Sequence, residues 1–421
     1  MKADIRRACA AMGAITAACT LAALGMPASL ATAATGATVG SGRFVAGSSP
    51  TAPADPNATV AQAGLTPAAK AQVGGPLMAS TGVVVNYPAR GAWKLPKIPA
   101  SAYVIADANT GAVLAAKDPH GLFPPASTLK VLTAITMLPR LNPNAMLKAS
   151  RLAVSQEPNI VGLVRGRSYK VRDLFHALLL ISANDAAVTL VQGAGSFSKG
   201  MALVNAEAQH LQAYDVVAKL PNGLPATGQV VSAYDLALIA RQALSMPAFM
   251  KYDETWQATF PVTNKKKITL INQNYLLTQY KGGIGGKIGW TDKAEATYIG
   301  MARRHGVTLI ATILHCTPLE EITSAEKLLN WGFAMQKHVT PVGTLVPPLA
   351  PKPASASPST AAHGVKTGGG PGAASSAMSG EDRGSGGAPM AIAAAIAGAL
   401  CVGLVGLVFL RRRGATQHRD A

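Results

Sequence analysis

The sequence predicts a mixed α/β domain in which helices sandwich an antiparallel sheet and further helices form a subdomain. Strand-like apolar segments lie at both ends of a stretch of about 250 residues, and helical segments lie between them. That stretch is long enough to bury a substantial core. On both sides of it the chain is rich in small and polar residues, so the folded part is expected to span residues 97–346.

The first half of this domain predicts a hairpin followed by helices. Residues 102–106 and 112–116 are apolar and flank the turn sequence Asn109-Thr110-Gly111, which is typical of a β-hairpin. Helices are predicted over 127–138, after a Pro-Pro step, over 174–191, with a polar interruption at residues 182–184, and over 232–244, with Ser232 as the N-cap.

The second half predicts the remaining strands and a closing helix. Apolar segments at 284–290, 297–302 and 307–314 are predicted as strands, and the last two pair across the turn at 303–306. Residues 324–335 are predicted as the closing helix. Lys265–Lys267 is interpreted as a solvated hairpin turn.

The segments outside the domain predict export and membrane attachment. Residues 1–33 have a basic start, an apolar middle and a small-residue end, as in a secretory signal peptide. Residues 390–410 are apolar over the length of a bilayer, and the arginines that follow predict a cytoplasmic tail over 411–421. Residues 34–96 and 347–389 have the composition of disordered linkers. The domain is therefore expected outside the cytoplasm on a single-pass anchor.

Composition and cysteine usage exclude several classes of protein. The formal net charge is +18, but aromatic residues make up only 5% of the chain and the cations are scattered, which does not indicate nucleic-acid binding. An exported basic protein is instead expected to adsorb to anionic polymers and lipid surfaces. Cys316 is the only cysteine of the predicted domain, so no disulfide is expected within it. The histidines show no ligand spacing, and no metal or cofactor is predicted.

Ser127 and Lys130 carry the first indication of chemistry. They are three residues apart in Pro125-Ala126-Ser127-Thr128-Leu129-Lys130, so a helix would place both side chains on one face. A serine hydroxyl needs a base beside it to act as a nucleophile. A lysine supplies that base when burial and neighbouring cations keep it neutral. Taken alone, S-x-x-K is a weak signal.

Two further motifs follow in a fixed order. Ser182-Ala183-Asn184 interrupts a helix, and Lys287-Ile288-Gly289 lies on a predicted strand about a hundred residues later. S-x-x-K, S-x-N and K-[TS]-G in this order resemble the motif set of penicillin-interacting serine enzymes. The chain is similar to low-molecular-weight penicillin-binding proteins of the D-alanyl-D-alanine carboxypeptidase family. The resemblance runs from about Lys97 to Phe333 and includes Pro221-Asn222-Gly223-Leu224.

The resemblance implies a β-lactamase/DD-peptidase-like fold and a role for each motif residue. Ser127 would attack the penultimate D-alanine, Lys130 would act as its base, and Ser182 would relay a proton to the leaving amine. Asn184 and Lys287 would bind the substrate, Gly289 would leave room for it, and the backbone N–H groups of Ser127 and Trp290 would stabilise the oxyanion. The implied partners are peptidoglycan stem peptides ending in D-Ala-D-Ala and β-lactams as covalent inhibitors, on the cell-wall side of the membrane.

Ile288 departs from the motif. Relatives have Thr or Ser there, and that hydroxyl helps to hold the terminal carboxylate of the substrate. Losing one hydrogen bond to a charged group costs about 1.5–3 kcal/mol, which is roughly tenfold to a hundredfold in rate. The substitution predicts a weakened or retuned enzyme, and Thr291 is the nearest hydroxyl that would partly replace the missing one.

Two alternatives remain open. Ile288 favours a catalytically impaired relative that binds wall peptide or penicillin without turnover. A serine β-lactamase would need a glutamate-activated water, and its E-x-x-L-N pattern should lie between the second and third motifs. Here the pattern occurs at Glu326–Asn330, after the third motif and on the predicted closing helix, which disfavours that alternative. A Ser-His-Asp hydrolase is disfavoured because no G-x-S-x-G precedes a helix.

Overall fold

The structure, a computed structural model, describes residues 73–350. The predicted signal peptide, the apolar segment at 390–410, the cytoplasmic tail and most of both linkers lie outside the described residues. Within residues 73–350, no helix combines the length and the apolar character needed to cross a membrane.

Strands in the described residues form one main sheet and two small hairpins. They are β1 (Val83–Val84), β2 (Ala100–Asp107), β3 (Ala112–Lys117), β4 (Met146–Lys148), β5 (Ser168–Lys170), β6 (Gln257–Pro261), β7 (Lys267–Ile271), β8 (Gly283–Thr291), β9 (Glu295–Arg304), β10 (Val307–Cys316) and β11 (Gly343–Thr344).

The main sheet is antiparallel and has the order β1-β3-β2-β10-β9-β8, with β11 paired to β3. Its centre joins the two ends of the domain, because β10 pairs with β2 in the register Ala311↔Ile105. β8, which carries the third motif, lies at the edge of the sheet beside β9. The predicted strands are therefore confirmed, including the β9–β10 pair across the turn at 303–306.

The turn sequence of the first hairpin stabilises the reversal of the chain between β2 and β3. Asp107 Oδ1 accepts hydrogen bonds from the backbone N–H groups of Asn109 at 2.8 Å and Thr110 at 3.2 Å. Gly111 then adopts φ 83°, a left-handed conformation that glycine reaches without steric cost. The predicted hairpin of β2 and β3 is confirmed at these residues.

Helices cover both faces of the sheet. Those in the described residues are α1 (Leu129–Met137), α2 (Arg151–Val154), α3 (Val171–Leu180), α4 (Asn184–Gln192), α5 (Phe197–His210), α6 (Ala233–Leu244), α7 (Pro247–Asp253), α8 (Leu276–Gln279) and α9 (Glu321–Met335), with short 3-10 turns at Pro76–Ala79 and Ala126–Thr128.

The core has two parts, one on each side of the sheet. α9 packs on β9 and β10 through an apolar cluster that includes Leu328 and Trp331. The larger cluster joins the opposite face to α6 and to a subdomain in which α1 packs against α3, α4 and α5. Every residue of α1 is buried, as expected of a helix enclosed on all sides. The predicted sandwich with a helical subdomain is confirmed.

The sequence-based boundary at residue 97 is too late. Met78 is fully buried, Val83 pairs with Lys117, and the Trp93 carbonyl accepts a hydrogen bond from the indole of Trp331 at 2.9 Å. Residues 73–96 therefore pack as part of the domain. The amino-acid composition did not indicate that these residues are folded, because a few widely spaced buried apolar residues do not raise the apolar content of a segment.

The predicted start of one helix agrees with the structure, and the predicted start of another does not. Ser232 caps α6, accepting a hydrogen bond from the backbone N–H of Asp235 at 3.1 Å, as predicted. α9 begins at Glu321, one turn before the predicted start at Ser324. Ser324 is instead buried against Cys316 within the first turns of the helix.

Candidate active site

Three separate parts of the fold converge on one cleft. Ser127 lies in the 3-10 turn that leads into α1, and Lys130 follows it on α1. Ser182 and Asn184 lie at the break between α3 and α4, and Lys287 lies on the edge strand β8. The predicted motifs are therefore brought together by the sheet edge and the helical subdomain.

The side-chain nitrogen of Lys130 is surrounded by oxygen atoms, and the residue is fully buried. Its Nζ lies 2.8 Å from Ser127 Oγ, 2.7 Å from Asn184 Oδ1 and 2.7 Å from the backbone carbonyl oxygen of Asn222. Ser127 itself is partly accessible from the cleft. Ser127 is therefore accessible to a substrate, while the Lys130 side chain that it contacts is shielded from water.

Burial is the main cause that lowers the pKa of Lys130 well below its ordinary 10.5. The positive charge of Lys287 lowers this pKa further, and Asp185 acts in the opposite direction. A neutral amine has two N–H donors and one lone pair. When the donors are used by Asn184 and Asn222, the lone pair faces the Ser127 hydroxyl, which is the arrangement a general base requires.

The turn at Asn222 and Gly223 packs against the turn that carries Ser127. Gly223 has φ 80°, and a Cβ at this residue would lie 1.7 Å from the carbonyl oxygen of Ala126. Ala126 itself adopts φ 45°, in the left-handed region that non-glycine residues adopt uncommonly. The sequence analysis quoted Pro221-Asn222-Gly223-Leu224 only as part of the resemblance. It gave Asn222 no role, because a backbone carbonyl leaves no side-chain signal.

β8 passes directly against the serine turn at Gly289. A Cβ on Gly289 would lie 2.6 Å from the Ser127 backbone nitrogen and 2.5 Å from Thr297 Oγ1. Thr297, on β9, donates a hydrogen bond to the Pro125 carbonyl at 2.9 Å and ties the sheet to the same turn. The absence of a side chain at Gly289 therefore allows the strand to approach the nucleophile.

Ser182 is buried in an unusual backbone conformation. Its φ is 63°, and its hydroxyl oxygen has no hydrogen-bond partner although it is buried. Its side chain lines the same cleft as Ser127. An unpaired buried hydroxyl is uncommon and calls for an explanation, and a transient proton-transfer role supplies one.

Asn184 and Asp185 hold a loop against the site. Asn184 Nδ2 donates to the Glu157 carbonyl at 2.8 Å, while its Oδ1 faces Lys130. The Asp185 carboxylate accepts backbone hydrogen bonds from the three successive residues 161–163, at 2.9 to 3.0 Å. Sequence reasoning missed this role of Asp185, because the loop that it binds lies more than twenty residues earlier in the chain.

Lys287 is also buried, and its pKa is lowered to about 8, mainly by burial, with Asp253 acting against the shift. Its Nζ donates to the Ile288 carbonyl at 2.8 Å. Burial raises the pKa of Asp253 to about 7, and this carboxylate accepts a hydrogen bond from the Gly286 backbone N–H at 2.7 Å. Asp253 thus fixes β8 near its start, a contact for which the sequence holds no local signal.

The last part of the third motif faces the cleft. Ile288 lines it, as does Trp290, which is 59% exposed. Thr291 Oγ1 accepts a hydrogen bond from the Ala294 backbone N–H at 3.1 Å and so stabilises the β8–β9 turn. Its hydroxyl hydrogen is not used in that bond and stays available for a ligand.

The cleft has a volume of about 500 Å³ and holds both charged and apolar groups. Its lining residues are Ser127, Glu157, Pro158, Asn159, Ser182, Asn184, Gly223, Leu224, Pro225, Gln273, Ile288, Gly289, Trp290, Thr291, Asp292, Lys293 and Glu321.

A separate cluster of His120, Asp215 and Asp235 does not line this cleft. His120 Nδ1 lies 2.6 Å from Asp215 Oδ2, and its Nε2 lies 3.0 Å from the Val73 carbonyl oxygen. Asp235 accepts a hydrogen bond from the Asp215 backbone N–H at 2.7 Å. The side chains stand close enough together to ligate a metal, but their mutual hydrogen bonds and the contact with Val73 account for the cluster as a structural link.

The described domain is similar to proteins of known family. A family model described as D-alanyl-D-alanine carboxypeptidase matches residues 90–317. The chain is 37% identical to D-alanyl-D-alanine carboxypeptidase DacB2 of Mycobacterium tuberculosis strain H37Rv, over 61% of this chain and 89% of that protein. It is 26% identical to DacF of Bacillus subtilis strain 168, over 56% of this chain and 62% of that protein.

Solved structures show the same architecture. A crystal structure of a D-alanyl-D-alanine carboxypeptidase from Mycobacterium tuberculosis H37Rv aligns with a TM-score of 0.58 at 37% identity, covering 61% of this chain and 99% of that one. A mutant of a Streptomyces DD-transpeptidase aligns with a TM-score of 0.54 at 26% identity, covering 57% of this chain and 99% of that one.

Proposed function

The chain belongs to the D-alanyl-D-alanine carboxypeptidase family of serine peptidases, and we propose that Ser127 is the nucleophile with which it removes the terminal D-alanine from peptidoglycan stem peptides. The supporting observation is the 2.8 Å contact between Ser127 Oγ and the buried Lys130 Nζ. A serine with a neutral amine as its base can perform acyl transfer without a histidine.

The reaction proceeds through two acyl transfers. Ser127 Oγ attacks the carbonyl carbon of the penultimate D-alanine while its proton passes to Lys130. Backbone N–H groups of Ser127 and Trp290 stabilise the oxyanion. The C–N bond then breaks, and the leaving amine takes up the proton from Lys130 by way of Ser182. Water hydrolyses the ester and restores Ser127, with the same lysine accepting and returning the proton.

The substrate-binding roles extend this proposal to the rest of the motifs. The free Nδ2 hydrogen of Asn184 is available to the substrate backbone, and Gly289 keeps β8 close enough for the peptide to align along it. Lys287 contributes positive charge beneath the cleft and keeps the pKa of Lys130 low. Thr291 supplies a hydroxyl near the third motif. The same constellation is the target of β-lactams, which acylate the serine in place of the peptide.

The β-lactamase alternative gains no support from the site. Glu326 lies on α9 and does not line the cleft. Asn330, the other end of its motif, accepts hydrogen bonds from the Tyr280 hydroxyl at 2.9 Å and from Arg304 at 3.1 Å. The E-x-x-L-N pattern is therefore explained by helix packing.

We also propose that the enzyme works on the cell-wall side of the cytoplasmic membrane. The support comes from the sequence: the signal-like residues 1–33, the apolar residues 390–410 and the arginines after them. On this proposal residues 347–389 serve as a spacer between the domain and its anchor, and the basic surface favours adsorption to anionic wall polymers.

The direct test of the function measures D-alanine release from a diacyl-L-Lys-D-Ala-D-Ala peptide, together with covalent labelling by a fluorescent penicillin. The wild-type protein is expected to do both, and Ser127→Ala neither. Labelling without any D-alanine release would favour the impaired relative. Rapid loss of the label with penicillin hydrolysis would favour a β-lactamase.

Lys287→Gln should move the pH dependence of acylation to higher pH. The Lys287 charge disfavours a second cation on Lys130, so its removal raises the pKa of Lys130 and leaves less of the neutral base at a given pH. Because the pKa of Lys287 is about 8, its charge acts mainly below that pH. The measurement is the acylation rate by fluorescent penicillin against pH. Lys199→Gln, at an exposed position on α5 outside the cleft, is the control, and an acylation pH profile that stays in place or moves to lower pH would contradict the assignment.

A further inference from the structure

Two stretches of chain beside the helical subdomain are rich in cations and poor in acids. They are residues 146–170, which include β4, α2 and β5, and the β6–β7 hairpin at 257–271. Together they hold eight lysines and arginines, and Glu157 is their only acidic residue. The eight cations, called the basic surface below, are Lys148, Arg151, Arg165, Arg167, Lys170, Lys265, Lys266 and Lys267.

Contacts between these stretches make the basic surface continuous. β4 pairs with β5 along its whole length, and the Ala149 backbone N–H donates to the Arg167 carbonyl at 2.8 Å, next to the start of α2. Arg167 Nη2 donates to Asn264 Oδ1 at 2.7 Å, which joins the loop before β5 to the tip of the β6–β7 hairpin. The Tyr169 hydroxyl donates to the Val262 carbonyl at 3.0 Å and fixes the same junction.

The protein does not neutralise these charges. Seven of the eight cations are exposed, and Arg167 is half-buried. Within residues 73–350, none of the eight lies in an ion pair. Glu157, the one acid on these stretches, lines the cleft. Like charges held close together raise the local potential, so the basic surface is expected to attract an anionic partner from solution.

The basic surface begins beside the cleft. Residues 157–159 line the cleft, and the same loop continues to Arg165 and Arg167. The Asp185 carboxylate holds this loop in place through the backbone N–H groups of residues 161–163. Gln273, two residues after β7, also lines the cleft. A body that covers the basic surface therefore lies next to the entrance through which a substrate reaches Ser127.

We propose that the basic surface binds a linear polyanion of the cell wall, a chain of phosphodiesters, next to the stem peptide in the cleft. Arginine presents a planar fork of donors that matches phosphate oxygens, and lysine adds point charges. The choice of a wall polymer rests on the proposed function, because the body beside the cleft is then the wall that carries the substrate. A lipid bilayer is the competing partner, since Met146 and Val164 are exposed among the cations.

The test measures binding of fluorescein-labelled poly(glycerol phosphate) to the purified full-length protein in a neutral detergent, by fluorescence anisotropy over a range of salt concentrations. The wild type is expected to bind, with an affinity that falls as salt rises. Changing Lys265, Lys266 and Lys267 together to Gln should weaken binding about tenfold at low salt, because three exposed charge contacts are lost. D-alanine release from a small peptide should keep its wild-type rate, because these lysines do not line the cleft.

The matched control changes Lys281, Lys327 and Lys337 together to Gln. These lysines are exposed on or near α9, away from the basic surface, and their loss removes the same net charge. This variant should bind the polymer nearly as tightly as the wild type. Equal weakening by the two triple variants would assign binding to overall charge and overturn the inference.

A wild-type protein that does not bind the polymer would also overturn the inference. Protection of residues 146–170 from hydrogen exchange in nanodiscs that contain phosphatidylglycerol, but not in pure phosphatidylcholine, would then assign the basic surface to a bilayer. The proposed function would stand in both cases if D-alanine is released. Polymer binding that depends on Lys265–Lys267, without any release of D-alanine, would support the surface and defeat only the proposed function.

Discussion

Lys130→Met should slow the acylation of Ser127 by roughly 10²- to 10⁴-fold, the range for loss of a positioned general base. Methionine retains the unbranched shape that fits the buried site, so the domain should stay folded. It removes the amine that lies 2.8 Å from Ser127 Oγ and leaves the oxygens of Asn184 and Asn222 without their partner. Each unpaired oxygen is expected to cost about 1–3 kcal/mol of stability.

The measurement combines stopped-flow labelling by fluorescent penicillin with thermal unfolding. Lys199→Met, at an exposed position on α5, is the matched control and should change neither quantity appreciably. An acylation rate within about tenfold of the wild type would show that another group removes the serine proton. A folded variant with the expected slow rate would separate the chemical role of Lys130 from its packing role.

Gly289→Ala should reduce the acylation rate by about 10²-fold or more, as when an oxyanion-hole donor is displaced. The added methyl group would lie 2.6 Å from the Ser127 nitrogen and 3.0 Å from Ala126 Cβ, so β8 must move away from the serine turn. Overpacking of this kind also costs about 1–3 kcal/mol in stability. Lys130 keeps its own hydrogen bonds, so the pH dependence of the remaining rate should change little.

Gly82→Ala is the control for this variant, because the nearest atom to its added Cβ is Ser80 Oγ at 3.7 Å. Acylation rates and unfolding temperatures of both variants and the wild type would be compared. If Gly289→Ala acylates at the wild-type rate, the close approach of β8 to the nucleophile is not required for catalysis. The role assigned to the strand would then be wrong.

The parts of this site that sequence could predict are those with local signals. Ser127 and Lys130 share a helical face, Ser182 and Asn184 mark a break in a helix, and Lys287 lies on a strand-like segment. The order of these motifs was enough to predict the fold class and the family. Hairpins with clear turn sequences were also predicted correctly.

The parts that sequence could not predict depend on contacts between distant segments. The Asn222 backbone carbonyl reaches Lys130 across 92 residues, and Asp253 reaches the Gly286 N–H across 33. Glu321 looks like an ordinary first-turn acid of α9 until the structure places it in the wall of the cleft. Ile288 was recognised as a departure from the motif because the motif itself supplies the local signal.

The central claim is that the Lys130 amine is neutral near the pH at which Ser127 reacts. It is tested most directly by an NMR titration of the lysine side-chain nitrogens, with Lys130→Met to assign the signal. We expect the Lys130 signal to titrate with a midpoint well below the ordinary pKa of 10.5, at the same pH at which the acylation rate rises. A Lys130 signal that titrates near 10.5 while Ser127 is acylated at neutral pH would contradict it.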